Sequence, residues 1–474
     1  MIWKLLERFG VLGVQFILQI VLARLLSPEH YGVLSIMIIF TQLANIFIQT
    51  GFNTALIQNK DVTDEDYSSV FWVTLLIATA IYGILFLAAP FIADFYALDD
   101  FTAPFRVLCL ILFPGALNSI QLAKVSKELD FKQVFFSNLS SIIISGVVGI
   151  ILALVGAGIW ALVAQSFLNI AIASIVMLFT VKWYPKFICK ISRVKILFAY
   201  GWKLLVSGLL DTLYQNIQSL VIGKKYDTGT LGYYNRGQQF PQFIISAINS
   251  SVQSVLLPTL SAEQDNISKV KTLTRNSVML SSYIIFPMMA GLAGVATPLV
   301  KLLLTDKWLP CVPFLQINCI TFAFYPVHTS NLQAINAVGR SDIFLKLEIA
   351  KKFISLFILA IAVFGFDSPI AIALSGAIGV PIGFLINAFP NNKLINYSYF
   401  EQIKDIFPSL IASVLMFTFV ILMQNLPFAT FLTLIIQILS GILFYILISA
   451  IFKLTPFQIL LNIIKNRSLS TINK

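Results

Sequence analysis

Apolar runs of about 20 residues recur along the whole chain, from residue 9 to residue 452, and they limit the possible folds more than any other feature. A helix needs about 20 apolar residues to cross the hydrocarbon core of a bilayer. The gaps between the runs are short, so little chain is left for a domain outside the lipid. Composition agrees, because 58% of the residues are hydrophobic and 11% are charged, and the mean hydropathy is +0.88. These values exclude a large soluble catalytic or nucleic-acid-binding domain and predict an all-α polytopic membrane protein.

The runs predict about fourteen transmembrane helices, numbered here as spans 1 to 14. Their predicted ranges are 9–26, 33–53, 69–93, 103–123, 135–155, 159–181, 196–222, 234–257, 276–304, 311–336, 344–365, 369–389, 404–424 and 428–452. Ser27 and Pro28 follow span 1 without a small-residue cleavage site, so we interpret this span as retained and not as a signal peptide.

The basic residues predict the orientation of the spans. The net charge is +11, and 24 of the 32 Lys and Arg residues lie in or beside alternate gaps that start with the N-terminus, against 7 in the other gaps. Lys and Arg accumulate on the cytoplasmic side, so both termini are predicted to be cytoplasmic. This topology places Cys189 in a cytoplasmic gap and Cys311 at the outer end of span 10, open to thiol reagents from outside.

An internal duplication is visible when the chain is shifted against itself by 200 positions. Polar and glycine identities then fall inside matching spans: Gln15 with Gln215, Gly32 with Gly232, and Gln42 with Gln242. At a slightly larger shift, Pro114 and Gln121 of span 4 match Pro326 and Gln333 of span 10. A six-span repeat preserves orientation, so we predict two parallel six-helix lobes, with the substrate site at the interface between them. The predicted boundaries are 1–190 for the N-lobe with spans 1–6, 191–392 for the C-lobe with spans 7–12, and 393–474 for spans 13–14 and a cytoplasmic tail.

Polar residues recur at helical spacing inside four of the apolar runs and predict an aqueous cavity, because a polar side chain in hydrocarbon must face protein or water. Gln and Asn can also join helices by interhelical hydrogen bonds, which is the alternative for each single amide. The recurrence at matching repeat positions favours the cavity. The amides predicted to contact the substrate are Gln49, Gln215, Gln239, Gln242, Asn249 and Gln253.

Four of the charged residues within or near the ends of these spans are candidates for a role in transport. Asp211 lies near the middle of span 7, where a charge is costly, so it is the candidate for coupling transport to an ion or a proton, and a structural pair with a neighbouring helix is the alternative. Arg24, Lys224 and Arg236 lie near the outer ends of spans 1, 7 and 8. They are predicted to contact the substrate, and snorkelling to the interface is the alternative for each of them.

Motifs for catalysis and metal binding are missing from the sequence. It contains no GxxxxGK[ST] loop, no HExxH motif and no CxxC pair. The triplet Asp64-Glu65-Asp66 resembles a metal-binding DxD, but its gap is too short to accompany a nucleotide-binding domain. We interpret the triplet as a solvated loop that also caps span 3. The sequence therefore predicts no catalytic residue, no metal site, no cofactor and no nucleic-acid partner.

Several short segments resemble one family of transporters. They are Ala23-Arg-Leu-Leu-Ser-Pro-Glu-His-Tyr-Gly32, Gly158-Ile-Trp-Ala-Leu-Val163, Ile222-Gly-Lys-Lys-Tyr226, Leu231-Gly-Tyr-Tyr-Asn-Arg236 and Gly339-Arg-Ser-Asp342. These segments are similar to the Wzx-type polysaccharide flippases, with the nearest likeness to the colanic-acid and teichuronic-acid exporter branch. That group belongs to the multidrug, oligosaccharidyl-lipid and polysaccharide transporter superfamily. The resemblance extends from span 1 to about span 12.

The resemblance implies a fold, a substrate and a set of partners. It implies two lobes around a cationic cavity, alternating access, and an undecaprenyl-diphosphate-linked oligosaccharide as the substrate. It also implies the bacterial inner membrane as the location, and membrane lipid, a polysaccharide polymerase and a chain-length regulator as partners. In the related flippase of the lipid-linked peptidoglycan precursor, arginines near the outer end of the first span are functional, and Arg24 holds a similar place.

Two other functions remain as alternatives at this stage. A multidrug antiporter of the same superfamily would bind cations and should carry more acidic than basic residues on its polar stripes. A membrane glycan polymerase or ligase is an enzyme and normally needs a sizeable outer loop with catalytic Arg or His. The sequence shows neither feature.

Overall fold

The regular elements of the chain are α-helices and short 3-10 turns in the computed structural model, which describes residues 2–59, 61–128, 131–425 and 427–462. The all-α fold predicted from the apolar runs is confirmed. The helices are α1 (Ile2–Leu25), α2 (Pro28–Gln58), α3 (Asp64–Tyr96), α4 (Thr102–Cys109), α5 (Leu112–Glu128), α6 (Phe131–Leu154), α7 (Ile159–Val181), α8 (Ile191–Lys225), α9 (Thr228–Ser261), α10 (Ile267–Gly294), α11 (Ala296–Leu304), α12 (Val312–Ala323), α13 (Tyr325–Ala337), α14 (Ser341–Gly365), α15 (Pro369–Leu394), α16 (Tyr399–Leu422) and α17 (Thr430–Ile451). The segments Asp306–Cys311 and Met423–Asn425 are 3-10 turns.

Each of the predicted spans coincides with helical residues. Within the described part of the chain, eleven segments are long and apolar enough to cross a membrane by length and composition. The apolar part of α1, Gly10–Leu25, is shorter, and α8 and α14 carry several charged residues. The chain is therefore a multi-pass membrane protein by composition and fold, and the number fourteen stays a prediction.

Three predicted spans are broken into two helices each. Span 4 is divided between α4 and α5, span 9 between α10 and α11, and span 10 between α12 and α13. Pro114 and Pro326, which match in the internal repeat, lie in the first turns of α5 and α13. Proline has no N–H to donate and is accommodated best in the first turn of a helix, so it favours a new helix start at both places, although helices such as α3 and α9 continue through prolines. The shared break supports the internal duplication.

By its internal contacts the chain divides into two compact units, Met1–Gly232 and Tyr233–Lys474. In the first unit α6 packs against α7 and α1, and α8 packs along α2. In the second unit α10 packs along α16, and α14 along α15. The contacts thus place α8 with the helices that precede it. The lobe boundaries at residues 190 and 392, which follow the sequence repeat, stay predictions.

Span 13, which is α16, is joined to α10 by ion pairs at one end. Arg275 of α10 donates to both carboxylate oxygens of Asp405 on α16, at 2.8 and 2.7 Å. Lys271 pairs with Glu401 at 2.9 Å, one turn away on each helix. The Tyr397 hydroxyl donates to Asp405 at 2.8 Å. Asp405 is almost fully buried, and these donors compensate its charge.

The acidic triplet at the start of α3 caps this helix, as the sequence predicts. Thr63 and Asp66 form a capping box, in which the Thr63 hydroxyl accepts from the Asp66 amide and the Asp66 carboxylate accepts from the Thr63 amide. The Asp64 and Glu65 side chains are 57% and 42% exposed. The predicted cap is confirmed, but the triplet lies in the first turn of α3 and not in a loop, and Asp66 is 3% exposed because Arg193 pairs with it.

Sidedness can be tested with the cysteines, but not with Cys311. Cys109, Cys311 and Cys319 are at most 1% exposed, whereas Cys189 is exposed. The expectation that Cys311 is open to reagents was wrong. The turn that carries Cys311 packs against α9, where a Cβ atom on Gly237 would lie 2.9 Å from the Cys311 carbonyl oxygen. Asp100, in the exposed turn after α3, replaces it as a reporter on the predicted outer side.

We expect a membrane-impermeant maleimide to label an Asp100→Cys, Cys189→Ser variant in intact cells and to spare the wild-type chain, whose exposed cysteine is Cys189. Labelling is measured by a gel shift, with lysed cells as the control in which both proteins react. Labelling of Cys189 in intact cells, with protection of the cysteine at position 100, would reverse the predicted orientation.

Candidate functional site

Some amides within the apolar helices join neighbouring helices and are fully buried. Gln121 of α5 is 0% exposed and donates to the Ser174 carbonyl of α7 at 3.2 Å. Gln437 of α17 is likewise buried and donates to the Val420 carbonyl of α16 at 2.9 Å. These amides fit the interhelical role that was the alternative for every single amide.

A second set of amides is exposed, although it lies on the same kind of helix. In the first unit the set contains Gln15, Gln42, Gln49 and Gln215, and in the second unit it contains Gln242 and Gln253. An exposed amide at the depth of the hydrocarbon would lose hydrogen bonds that water supplies. We therefore expect these side chains to face a water-filled space and not lipid. The substrate-binding role of Gln49, Gln215, Gln242 and Gln253 stays a prediction.

The polar stripe of α9 is not exposed along its whole length. Arg236 is 5% exposed, and its guanidinium donates to the Gln239 amide oxygen at 2.6 Å. The guanidinium carbon also lies 5.2 Å from the ring centroid of Trp308, which is fully buried. Asn249 is half-buried and accepts a hydrogen bond from the Thr329 hydroxyl at 2.6 Å. Arg236 is thus covered in this conformation, and only the part of the stripe from Gln242 onward contains exposed side chains.

The covering of Arg236 follows from its neighbour Gly237. A Cβ atom at this glycine would lie 2.7 Å from the Leu315 amide nitrogen and 2.8 Å from the Phe314 Cβ. The backbone of α9 therefore lies directly against the start of α12. Helix register alone does not reveal this contact, but a glycine beside the arginine is the sequence signal that indicates it.

The other predicted charged residues lie in the first unit. Arg24 is exposed in the last turn of α1, and Asp211 is half-buried near the middle of α8. Lys224 donates to the Phe95 carbonyl of α3, and its ammonium lies 4.3 Å from the centre of the Phe95 ring. Lys224 therefore joins the ends of α8 and α3 in this conformation.

The starts of α2 and α9 are equivalent in the repeat, 200 residues apart, and at each start the cap residue contacts the residue three positions on. At α2 the Ser27 amide and hydroxyl lie 3.4 and 3.0 Å from His30 Nδ1. At α9 the Asp227 carboxylate accepts from the amide and hydroxyl of Thr230, at 2.7 and 2.8 Å. Partial burial raises the pKa of Asp227, but hydrogen bonds from Thr230 and from nearby backbone amides together bring this pKa below its usual value. Asp227 therefore stays ionised at neutral pH and stabilises the positive end of the α9 dipole.

The two helix starts cross at a matched pair of glycines within the first unit. A Cβ atom on Gly32 would lie 1.8 Å from the Thr228 carbonyl oxygen, and one on Gly232 would lie 2.1 Å from the Pro28 carbonyl oxygen. Positions 32 and 232, and positions 28 and 228, are equivalent in the repeat. The crossing is therefore a reciprocal contact between duplicated segments, and it requires glycine on both sides.

We expect Gly32→Ala and Gly232→Ala each to destabilise this crossing, because the methyl group overlaps backbone that has little freedom to move. Overpacking of this kind costs about 1 to 3 kcal/mol. The midpoint of thermal unfolding in detergent measures the effect. Gly13→Ala and Gly83→Ala are matched controls, since nothing lies within 4 Å of a Cβ atom at either position. Midpoints equal to those of the controls would contradict the close approach.

A polar network in the second unit was not found by reasoning from the sequence. Asn331 of α13 donates to Gln402 of α16 at 2.9 Å and accepts from Asn391 of α15 at 2.6 Å. Along the same helices, His328 Nδ1 lies 3.1 Å from the Asn387 amide nitrogen. In the described ranges, no three His, Cys, Asp or Glu side chains come close enough together to hold a metal ion.

One protein family, described as polysaccharide biosynthesis protein, matches the chain over residues 21–313. This match covers more than half of the chain. The chain belongs to the polysaccharide biosynthesis protein family. The membership agrees with the motifs at the ends of spans 1, 7 and 8, and the predicted resemblance to Wzx-type proteins is confirmed.

Relatives and solved structures extend this result. The lipopolysaccharide biosynthesis protein WzxC of Escherichia coli (strain K12) is 24% identical over 416 residues, which cover 86% of this chain and 81% of the relative. The lipid II flippase MurJ in an inward closed conformation has a TM-score of 0.74 at 19% identity, over 95% of this chain and 98% of that chain. An inward-facing multidrug resistance MATE transporter of the MOP superfamily has a TM-score of 0.62 at 14% identity, over 83% of this chain and 99% of that chain. The predicted fold of this superfamily is confirmed.

Proposed function

We propose that this member of the polysaccharide biosynthesis protein family is a flippase that moves undecaprenyl-diphosphate-linked oligosaccharide repeat units across the cytoplasmic membrane by alternating access. The exposed amides within apolar helices are the observation on which the proposal depends. They provide donors and acceptors for sugar hydroxyls at a depth where lipid provides none. A hydrophilic glycan requires such a path through the membrane, while its prenyl tail stays in lipid.

The basic residues provide the partners for the diphosphate. Arg24 is exposed, and Lys224 and Arg236 bind neighbouring groups in this conformation. Contact of Arg236 with the diphosphate therefore requires a second conformation, in which α9 moves away from Trp308. A planar guanidinium suits phosphate oxygens, and a charge-assisted hydrogen bond is among the stronger polar contacts.

The names of similar proteins support a lipid-linked substrate. The E. coli relative is named for lipopolysaccharide biosynthesis, and MurJ is named as a flippase of lipid II. We propose further that the chain resides in the bacterial inner membrane with both termini in the cytoplasm. We also propose that it catalyses no reaction and delivers its substrate to a polysaccharide polymerase and a chain-length regulator.

The proposal is tested by flipping of a lipid-linked oligosaccharide in proteoliposomes. Accessibility of the glycan to an impermeant lectin reports its arrival at the outer leaflet. We expect the double variant Gln49→Leu/Gln215→Leu to flip about 5- to 100-fold more slowly, because each lost hydrogen bond is worth about 0.5 to 1.5 kcal/mol. Both helices should remain intact, since leucine is a good helix former.

The matched control is Gln264→Leu/Asn392→Leu, which removes two exposed amides that lie outside the predicted spans. It should flip at the wild-type rate. Absence of flipping by the wild-type protein, together with export of a cationic dye, would overturn the proposal and favour a multidrug antiporter. Equal rates for both double variants would remove the amides from the transport path.

Asp211 is the proposed ion-coupling residue. We expect Asp211→Asn to keep the thermal midpoint of the wild type, because the amide is nearly isosteric, and to lose the acceleration of flipping by an imposed proton or sodium gradient. Gradient-dependent rates in vesicles are the measurement. A wild-type response to both gradients would exclude Asp211 from coupling.

A further inference from the structure

The segment between α7 and α8 is an extended linker that is fixed against α3. This α7–α8 linker comprises residues 182–190. Its backbone amides at Lys186 and Lys190 donate to the hydroxyls of Ser68 and Ser69, at 3.1 and 2.9 Å. The Trp72 indole donates to the Lys186 carbonyl at 2.8 Å. Three side chains of one helix therefore hold the linker in a defined position.

The anchoring face of the linker uses one large aromatic residue. Trp183 is 4% exposed and packs edge-on against Tyr67 and Phe71 of α3, with ring centroids 6.4 and 6.2 Å apart. The free energy gained by burial of this ring offsets the conformational entropy that is lost when the linker is ordered. On the opposite face of the linker, the apolar side chains are exposed and do not pack against α3 in the same way.

Phe187 is 93% exposed, and its ring stacks on that of Trp72 at 5.1 Å. Tyr184 and Ile191 are 59% and 63% exposed on the same short stretch. A fixed, protruding aromatic group is unfavourable in water but favourable at the boundary between headgroups and acyl chains, where aromatic residues are enriched. Trp72 lies two turns inside a membrane-spanning helix, so this stack lies near that boundary.

Basic residues surround the protruding apolar groups. Lys190 pairs with Glu65, and the Arg193 guanidinium pairs with both oxygens of Asp66 at 2.9 Å. The acids at the start of α3 thus compensate the basic residues that point toward the helix. Lys182, Lys186 and Lys195 are exposed and carry the positive charge of the outward face.

We propose that this face binds the headgroups of anionic phospholipids. The linker surface consists of Lys182, Tyr184, Lys186, Phe187, Ile191 and Lys195. Its apolar side chains insert at the acyl boundary, and its three ammonium groups contact lipid phosphates. Juxtamembrane lysines attract anionic lipid, and a fixed apolar anchor holds them at the surface. This site is separate from the proposed substrate path.

Native mass spectrometry of the full-length protein, titrated with phosphatidylglycerol or phosphatidylcholine, tests the proposal. We expect the wild type to bind phosphatidylglycerol more tightly. Each lysine near an anionic surface changes the binding constant about fivefold. The variant Lys182→Gln/Lys186→Gln/Lys195→Gln should therefore lose about 100-fold of this preference.

The matched control is Lys346→Gln/Lys393→Gln/Lys404→Gln, which removes the same charge from exposed lysines of the second unit. It should keep the preference. Phe187→Ser should weaken binding of both lipids without a change in charge, and its thermal midpoint should stay at the wild-type value because the side chain is exposed.

Three outcomes would overturn the proposal. They are an undiminished preference in the linker variant, an equal loss in the control variant, and displacement of the lipid by millimolar inorganic phosphate. The last result would indicate a free-anion site instead of a lipid surface. Loss of flipping with normal lipid binding would affect only the proposed function, so the two proposals fail separately.

Discussion

The cost of an unpartnered polar group in hydrocarbon governs this structure. It requires helices for the spans, because only a helix satisfies its backbone internally within one segment. It also divides the amides into two groups. Gln121 and Gln437 are buried and bonded across helices, whereas Gln49 and Gln215 are exposed and need water. A chain that builds only a stable bundle needs the first group, and a transporter of a hydrophilic substrate also needs the second.

The duplication brings the starts of α2 and α9 into a reciprocal contact. The two helices begin at equivalent positions of the repeat, and their backbones cross at Gly32 and Gly232 within the first unit. A contact between backbones without intervening side chains can close tightly and separate without changes in side-chain rotamers. A methyl group at either position would prevent this approach.

The sequence predicts those features that depend on periodicity and composition. The helical segments, the repeat, the cap formed by Asp66 and the family likeness all follow from local patterns. Tertiary contacts are less accessible. Helix register predicts an exposed Arg236, but the close approach at Gly237 buries it beside Trp308. The burial of Cys311 and the network around Asn331 likewise depend on neighbours that are distant in sequence.

The central claim is that the exposed amides face water at membrane depth. Its most direct test is the reaction rate of single cysteines with a charged thiosulfonate reagent, in a Cys189→Ser background. A thiol reacts as its thiolate, which forms only where water is present. The variants Gln49→Cys and Gln215→Cys should react at least about tenfold faster than Leu76→Cys and Leu87→Cys. Leu76 and Leu87 are apolar residues of α3 that are 71% and 70% exposed. Equal, slow rates at all four positions would contradict the account, because the amides would then lie in lipid or within the closed bundle.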